Sequence, residues 1–137
     1  MRHLPPVTLG IAGVIHLLPL SGVLGRAQLL SLYGIAFGDP NAIILMRHRA
    51  VLFGLVGLFL VYAAFRPAFQ PAAFAAGLVS VVSFLWLAGI TGGYNAWLSR
   101  VIVVDWLALA LLILGIAGKA YTHSRSKDSG SRHRAAA

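Results

Sequence analysis

Apolar and polar positions separate into long blocks along this chain. Residues 4–24 are apolar but for Thr8, His16 and Ser21, and residues 43–65 hold sixteen uncharged positions in a row after Arg47-His48-Arg49. Residues 71–90 carry no charge, and residues 101–118 are interrupted only by Asp105. A helix that crosses a hydrocarbon core about 30 Å thick needs roughly 20 apolar residues, so each block predicts a transmembrane helix. Pro5 and Pro6 suit the first turn of such a helix, where a missing N–H costs nothing. The first run is long for a signal peptide's apolar region, contains His16 and Pro19, and is followed by no small-residue cleavage site, so it reads as a retained span.

The connections have patterns of their own. Between the first two spans, Arg26 to Tyr33 gathers Leu29, Leu30, Leu32 and Tyr33, which predicts a short helix lying in the membrane interface, ended by Gly34. Asp39 or Asn41 caps the second span. Phe65-Arg66-Pro67 is a tight turn, and Thr91 to Asn95 is another, bracketed by Trp86 and Trp97 as interfacial anchors. Residues 119–137 are polar, Ser-rich and basic without apolar periodicity, and are expected to form a disordered tail beyond a four-span domain at 1–118. The predicted fold is an all-α integral membrane four-helix bundle, up-down-up-down, with a short interfacial helix after the first span. Lipid supplies little hydrophobic drive between helices, so small residues mark the packing faces: Ala12 and Gly13, then Ala50, Gly54 and Gly57, then Ala108 and Gly115.

Composition agrees. Of 137 residues, 59% are hydrophobic and 10% charged, with mean hydropathy +0.86; soluble domains carry about 25% charged residues. The net charge of +8 does not indicate nucleic acid, because the basic residues sit between and after the apolar runs and form no stripe on a polar domain. Cysteine is absent, which removes disulfides, thiolate metal sites and thiol nucleophiles. Four spans put both termini on one side. That side holds seven basic residues (Arg2, Arg66, Lys119, Arg125, Lys127, Arg132 and Arg134), against Arg26, Arg47, Arg49 and Arg100 on the other. The positive-inside rule then makes both termini cytoplasmic.

Polar residues within spans are costly and mark candidate sites. His16, Arg47, His48, Arg49, Tyr94, Asn95 and Asp105 all fall near one depth, toward the outer side, and form the candidate ligand-binding set. Arg47 and Arg49 are about 200° apart on a helix and cannot face the same way. The small-residue face of the second span lies nearer Arg47. A lone carboxylate at mid-span costs about 2.5–3.5 kcal/mol, so Asp105 is expected to pair with Arg47 or Arg49 of the second span; Arg100, five residues away on the same helix, is poorly placed for it. His16, His48 and Asp105 share no short metal-ligand spacing, and no metal is expected. Tyr33, Tyr94 and the tryptophans read as interfacial belt residues. There is no phosphate-binding glycine loop and no nucleophile elbow, and the three acids, Asp39, Asp105 and Asp128, offer no acid and base pair, with Asp128 on the other side, so no catalytic residue is assigned.

The stretch with Leu-Leu-Ser-Leu-Tyr-Gly-Ile, then Asp-Pro-Asn, then Arg-His-Arg-Ala-Val-Leu-Phe-Gly resembles the DoxX-like family of small four-helix bacterial membrane proteins. Arg49, Ala50, Phe53 and Gly54 match the family's entry to its second span, and the resemblance implies that Arg49 is the inward arginine. It also implies a bacterial inner membrane and, through relatives linked to quinone-coupled sulfur oxidation or redox partners, a connection to quinone. Without cysteine, this chain cannot carry thiol-based sulfur chemistry.

Two functions follow as expectations. One is a non-catalytic accessory or assembly subunit of a membrane complex, with a membrane protein partner or a second copy. The other is a quinone- or lipid-binding module with an outer-side polar pocket. A proton-coupled transporter would need an inverted repeat or broken helices, which four short spans do not offer. The charge asymmetry fixes a first test. A reporter fused after Ala137 is expected to be cytoplasmic, and one placed within residues 34–38 external; the opposite pattern reverses the assigned orientation.

Overall fold

The computed structural model describes the backbone of residues 3–135, and the side chains of these except 123 and 125–135. Five α-helices follow in order: α1 Leu4–Leu17, α2 Arg26–Tyr33, α3 Pro40–Ala64, α4 Gln70–Thr91 and α5 Ala96–Ala135. A 3-10 segment, Leu18–Leu24, prolongs α1, and a single 3-10 turn, Pro67–Phe69, precedes α4. The structure describes no strand. Four stretches are long and apolar enough to cross a membrane: Leu4–Leu24, Pro40–Ala64, Pro67–Thr91 and Ala96–Thr122. The chain is therefore a multi-pass membrane protein built as a helical bundle.

Successive spans are antiparallel, as their contacts show. Gly13 of α1 meets Gly57 and Val61 of α3, while Leu20, farther along the chain, meets Gly54. Leu4 meets Gly118 and Thr8 meets Gly115, so α1 also runs against α5; Gly77 of α4 packs on Leu112 of α5 and Leu60 of α3. One end of the bundle, here the terminal end, thus holds Leu4, the turn between α3 and α4, and Gly118. The other, the loop end, holds α2 and the turn before α5. The core is a thin column of Leu9, Leu60, Phe74, Val81 and Leu112, all at most 3% exposed. Around it Val14, Leu55, Val79 and Val103 are more than half exposed. An apolar surface of this extent is sustained by lipid and not by water.

Helix ends follow local chemistry. The first span does not stay α-helical to residue 24. Pro19 has no N–H to give to Ile15, and the Leu18 N–H bonds that carbonyl instead, tightening the chain into the 3-10 segment. α3 starts at Pro40 because Asp39 is its cap: Asp39 Oδ1 accepts from the Asn41 N–H at 2.9 Å. α5 starts at Ala96, five residues before the apolar run, because Asn95 Oδ1 accepts from the Leu98 N–H at 2.8 Å. α5 also continues to Ala135, where a disordered tail was expected from residue 119. Extending a nucleated helix needs no new nucleus, so its backbone runs on past the apolar run. Residues 136 and 137 lie outside the described part.

The small residues named from sequence are the packing faces. A Cβ on Gly57 would stand 2.9 Å from both the Gly13 carbonyl oxygen and Leu17 Cγ, and one on Gly13 would stand 3.0 Å from the Val61 nitrogen. Ala12, Ala50 and Ala108 are buried. Gly57→Ala is expected to lower stability in detergent by about 1–3 kcal/mol, the usual cost of overpacking, read as thermal unfolding. Gly89→Ala, where a Cβ meets nothing within 4 Å, should instead be neutral or stabilising by about 0.4–1 kcal/mol.

Candidate functional site

The loop end is organised by α2. Leu29 and Tyr33, one helical turn apart, share a face and are 0% and 5% exposed. α2 therefore packs one face on the loop end of the bundle. Gly34 ends it in the left-handed conformation, φ 64°, with its N–H on the Leu30 carbonyl at 2.8 Å. A side chain at Gly34 would strike the Trp97 ring, so the end of α2 lies directly on the start of α5. Asn95 locks this junction: while its Oδ1 caps α5, its Nδ2 donates to the Tyr33 carbonyl at 2.9 Å. Burial pushes the Tyr33 phenol above the usual tyrosine range, with Asp105 adding to the shift and Arg49 opposing it. Tyr33 is consequently a neutral donor at physiological pH.

Arg49 is the inward arginine. Its guanidinium carbon lies 4.9 Å from the Phe53 ring centroid, 5.3 Å from that of Phe84 and 5.7 Å from that of Tyr33. Such a box stabilises a desolvated cation by about 2 kcal/mol or more. Arg47 turns the other way, and its Nε donates to the Val23 carbonyl at 2.8 Å, at the rim. Proximity to the small-residue face therefore did not identify the inward residue. Asp105 is 8% exposed. The expected ion pair does not form: Arg49 stays on its rings, Arg47 is on the Val23 carbonyl, and neither forks onto the carboxylate.

Two cavities flank Tyr33. One, of about 190 Å³, is lined by Ile15, Tyr33, Trp97, Arg100 and Asp105 among others. The second, of about 440 Å³, is lined by Tyr33, Met46, Arg49, Phe84 and Tyr94 among others. Tyr33 is the shared wall, with Asp105 on one side and Arg49 on the other. Arg100, at the rim of the first cavity, has its guanidinium 5.0 Å from the Trp97 ring.

His16 is 2% exposed. Its Nδ1 lies 2.8 Å from the Ala12 carbonyl oxygen, which can only accept, so Nδ1 carries the proton. That leaves Nε2 as a bare acceptor, and this atom is buried without a partner. The His16 ring sits 5.9 Å from Phe53, the ring that also supports Arg49.

Of the seven candidate residues, His16, Arg49, Tyr94 and Asp105 thus lie around this centre. Asn95 is committed to holding the helix junction, Arg47 is at the rim, and His48 is exposed. Sequence reasoning treated Tyr33 as a belt residue and did not select Phe53, Phe84 or Arg100. The signal for Tyr33 was present: Leu29 and Tyr33 at i, i+4 form the buried face of a short helix. Among the described residues no three His, Asp or Glu side chains stand together as a metal site. Comparison with family models, curated proteins and solved structures found no match, so the geometry is what carries a functional reading.

The arrangement offers a neutral phenol, a boxed guanidinium and an unforked carboxylate beside two partly open cavities. A double-mutant cycle tests the electrostatic frame. Asp105→Asn and Arg49→Ala are expected to couple by about 0.5–3 kcal/mol in detergent unfolding. Asp105→Asn and Arg47→Ala should be additive. Coupling to Arg47 and not to Arg49 would refute the assignment of the inward arginine.

Proposed function

We propose that the protein is a non-catalytic, DoxX-like membrane module that holds the polar head of an amphiphilic ligand, a quinone or a lipid, at its loop end. The observation that carries this reading is the placement of Arg49 and Asp105 in separate cavity walls on the two sides of Tyr33. Charges within spans are expensive, and a direct fork between them would be the economical arrangement. Holding them apart beside about 190 Å³ and 440 Å³ of space suits a ligand whose carbonyl oxygens accept from Arg49 or Tyr33 and whose hydroxyl donates to Asp105. The apolar remainder of both cavities suits a ring or chain.

With positive-inside orientation, this site opens toward the outer face of a bacterial inner membrane, and both termini are cytoplasmic. A module of this size serves as an accessory subunit to a larger redox or assembly complex. The test is lipid extraction and mass spectrometry of protein purified in mild detergent. Wild type is expected to carry about one quinone or one defined lipid per chain, and Arg49→Gln to lose it while the bundle still melts cooperatively. A protein that carries no such ligand but co-purifies with a stable partner would be an accessory subunit without a binding site.

A further inference from the structure

The terminal end carries a second, independent feature. A groove of about 740 Å³ runs between α4 and α5, lined by Pro71, Phe74, Leu78, Ile116, Lys119 and Thr122 among others. Its body is apolar, and among the described residues its one ionisable lining residue is Lys119. From Pro71 to Leu78 it follows α4 for about 10 Å at 1.5 Å per residue. That is most of one leaflet of a hydrocarbon core about 30 Å thick.

Lys119 is held at the mouth by neutral groups. Its Nζ donates to Gln70 Oε1 at 3.3 Å and to the Pro67 carbonyl at 3.5 Å. Gln70 is itself 6% exposed, so this anchor is built into the helix junction. The lysine's position is therefore fixed by its neighbours, while among the described side chains no acid balances its charge. The carboxylates of Asp39 and Asp105 both lie at the loop end, the first as the α3 cap and the second at the cavity by Trp97. The third acid, Asp128, lies in the polar segment beyond the spans, outside the described side chains.

We propose that this groove binds one anionic phospholipid, with an acyl chain along Phe74, Leu78 and Ile116 and the phosphate on Lys119. Charge complementarity selects the headgroup. An unpaired cation at the top of an apolar groove of leaflet depth discriminates between anionic and zwitterionic lipids that share the same chains. The proposal does not rest on the loop-end site, which lies at the other end of the bundle.

The test uses the full chain in nanodiscs of equal phosphatidylglycerol and phosphatidylcholine with matched chains, read by native mass spectrometry after release. Wild type is expected to retain phosphatidylglycerol about fivefold over phosphatidylcholine, the discrimination that one basic residue near an anionic surface provides. Lys119→Gln should bring the ratio to about one, and Lys119→Arg should keep it. A variant with Arg125, Lys127, Arg132 and Arg134 all changed to Gln tests the polar segment and should keep the preference. If that variant loses the preference while Lys119→Gln retains it, the segment and not the groove selects the lipid, and the proposal fails. Ile116→Trp fills the groove from its lipid-facing wall, where Ile116 is 38% exposed, and covers the case in which Lys119→Gln does not fold. It should at least halve the retained phosphatidylglycerol; unchanged retention overturns the proposal.

Discussion

The backbone contact between Gly13 and Gly57 is the constraint on which this bundle depends. In lipid, helices gain nothing from hiding apolar surface, and association rests on close packing and hydrogen bonding. Two glycines at one crossing let α1 and α3 approach until backbone meets backbone. The rest of that seam is then in register, with Leu17 over Gly57, Leu20 over Gly54 and Gly22 near Ala50. The same register brings His16 against Phe53 and carries the Val23 carbonyl to Arg47. The polar end of the molecule is thus set by an apolar contact about two turns away.

From this seam the chain leaves α1 in a tighter path, because Pro19 cannot continue the α-helical ladder. The 3-10 segment and Gly25, at φ 117°, redirect it so that α2 returns over the bundle. α2 is short and would be marginal alone. Its stability comes from Leu29 and Tyr33 buried beneath it, from the Gly34–Trp97 contact and from Asn95 on its last carbonyl. That arrangement serves two purposes at once. It satisfies helix ends that lipid cannot hydrate, and it leaves a neutral phenol between a guanidinium and a carboxylate.

The two ends of the protein are electrostatically unlike. Both carboxylates on described side chains are at the loop end, where Arg47, Arg49 and Arg100 each find a carbonyl or an aromatic ring. The terminal end has Lys119 on neutral oxygens and no acid among the described side chains. A bilayer with anionic lipid in one leaflet therefore meets two different surfaces on one small bundle. One end has two cavities that share Tyr33 as a wall, and the other an apolar groove with a lysine at its mouth.

The sequence alone determined the four spans, the narrowing of the α3 cap to Asp39 or Asn41, the end of α2 at Gly34, and the small-residue faces. Each depends on neighbours within a turn or on a run of hydropathy, and both are visible in one dimension. It also marked Arg49 and Asp105 as costly and in need of an environment. Which arginine turns inward was not legible from position, because the small-residue face pointed to Arg47 and only the family resemblance to Arg49. The answer depended on Phe53, Phe84 and Tyr33 converging from three helices. Asn95 read as a ligand donor and proved to be a joint, since its partners, Leu98 and Tyr33, come from two different elements. Contacts across helices are decided by the angle and depth at which spans cross, and those are properties of the packed bundle, not of any one segment.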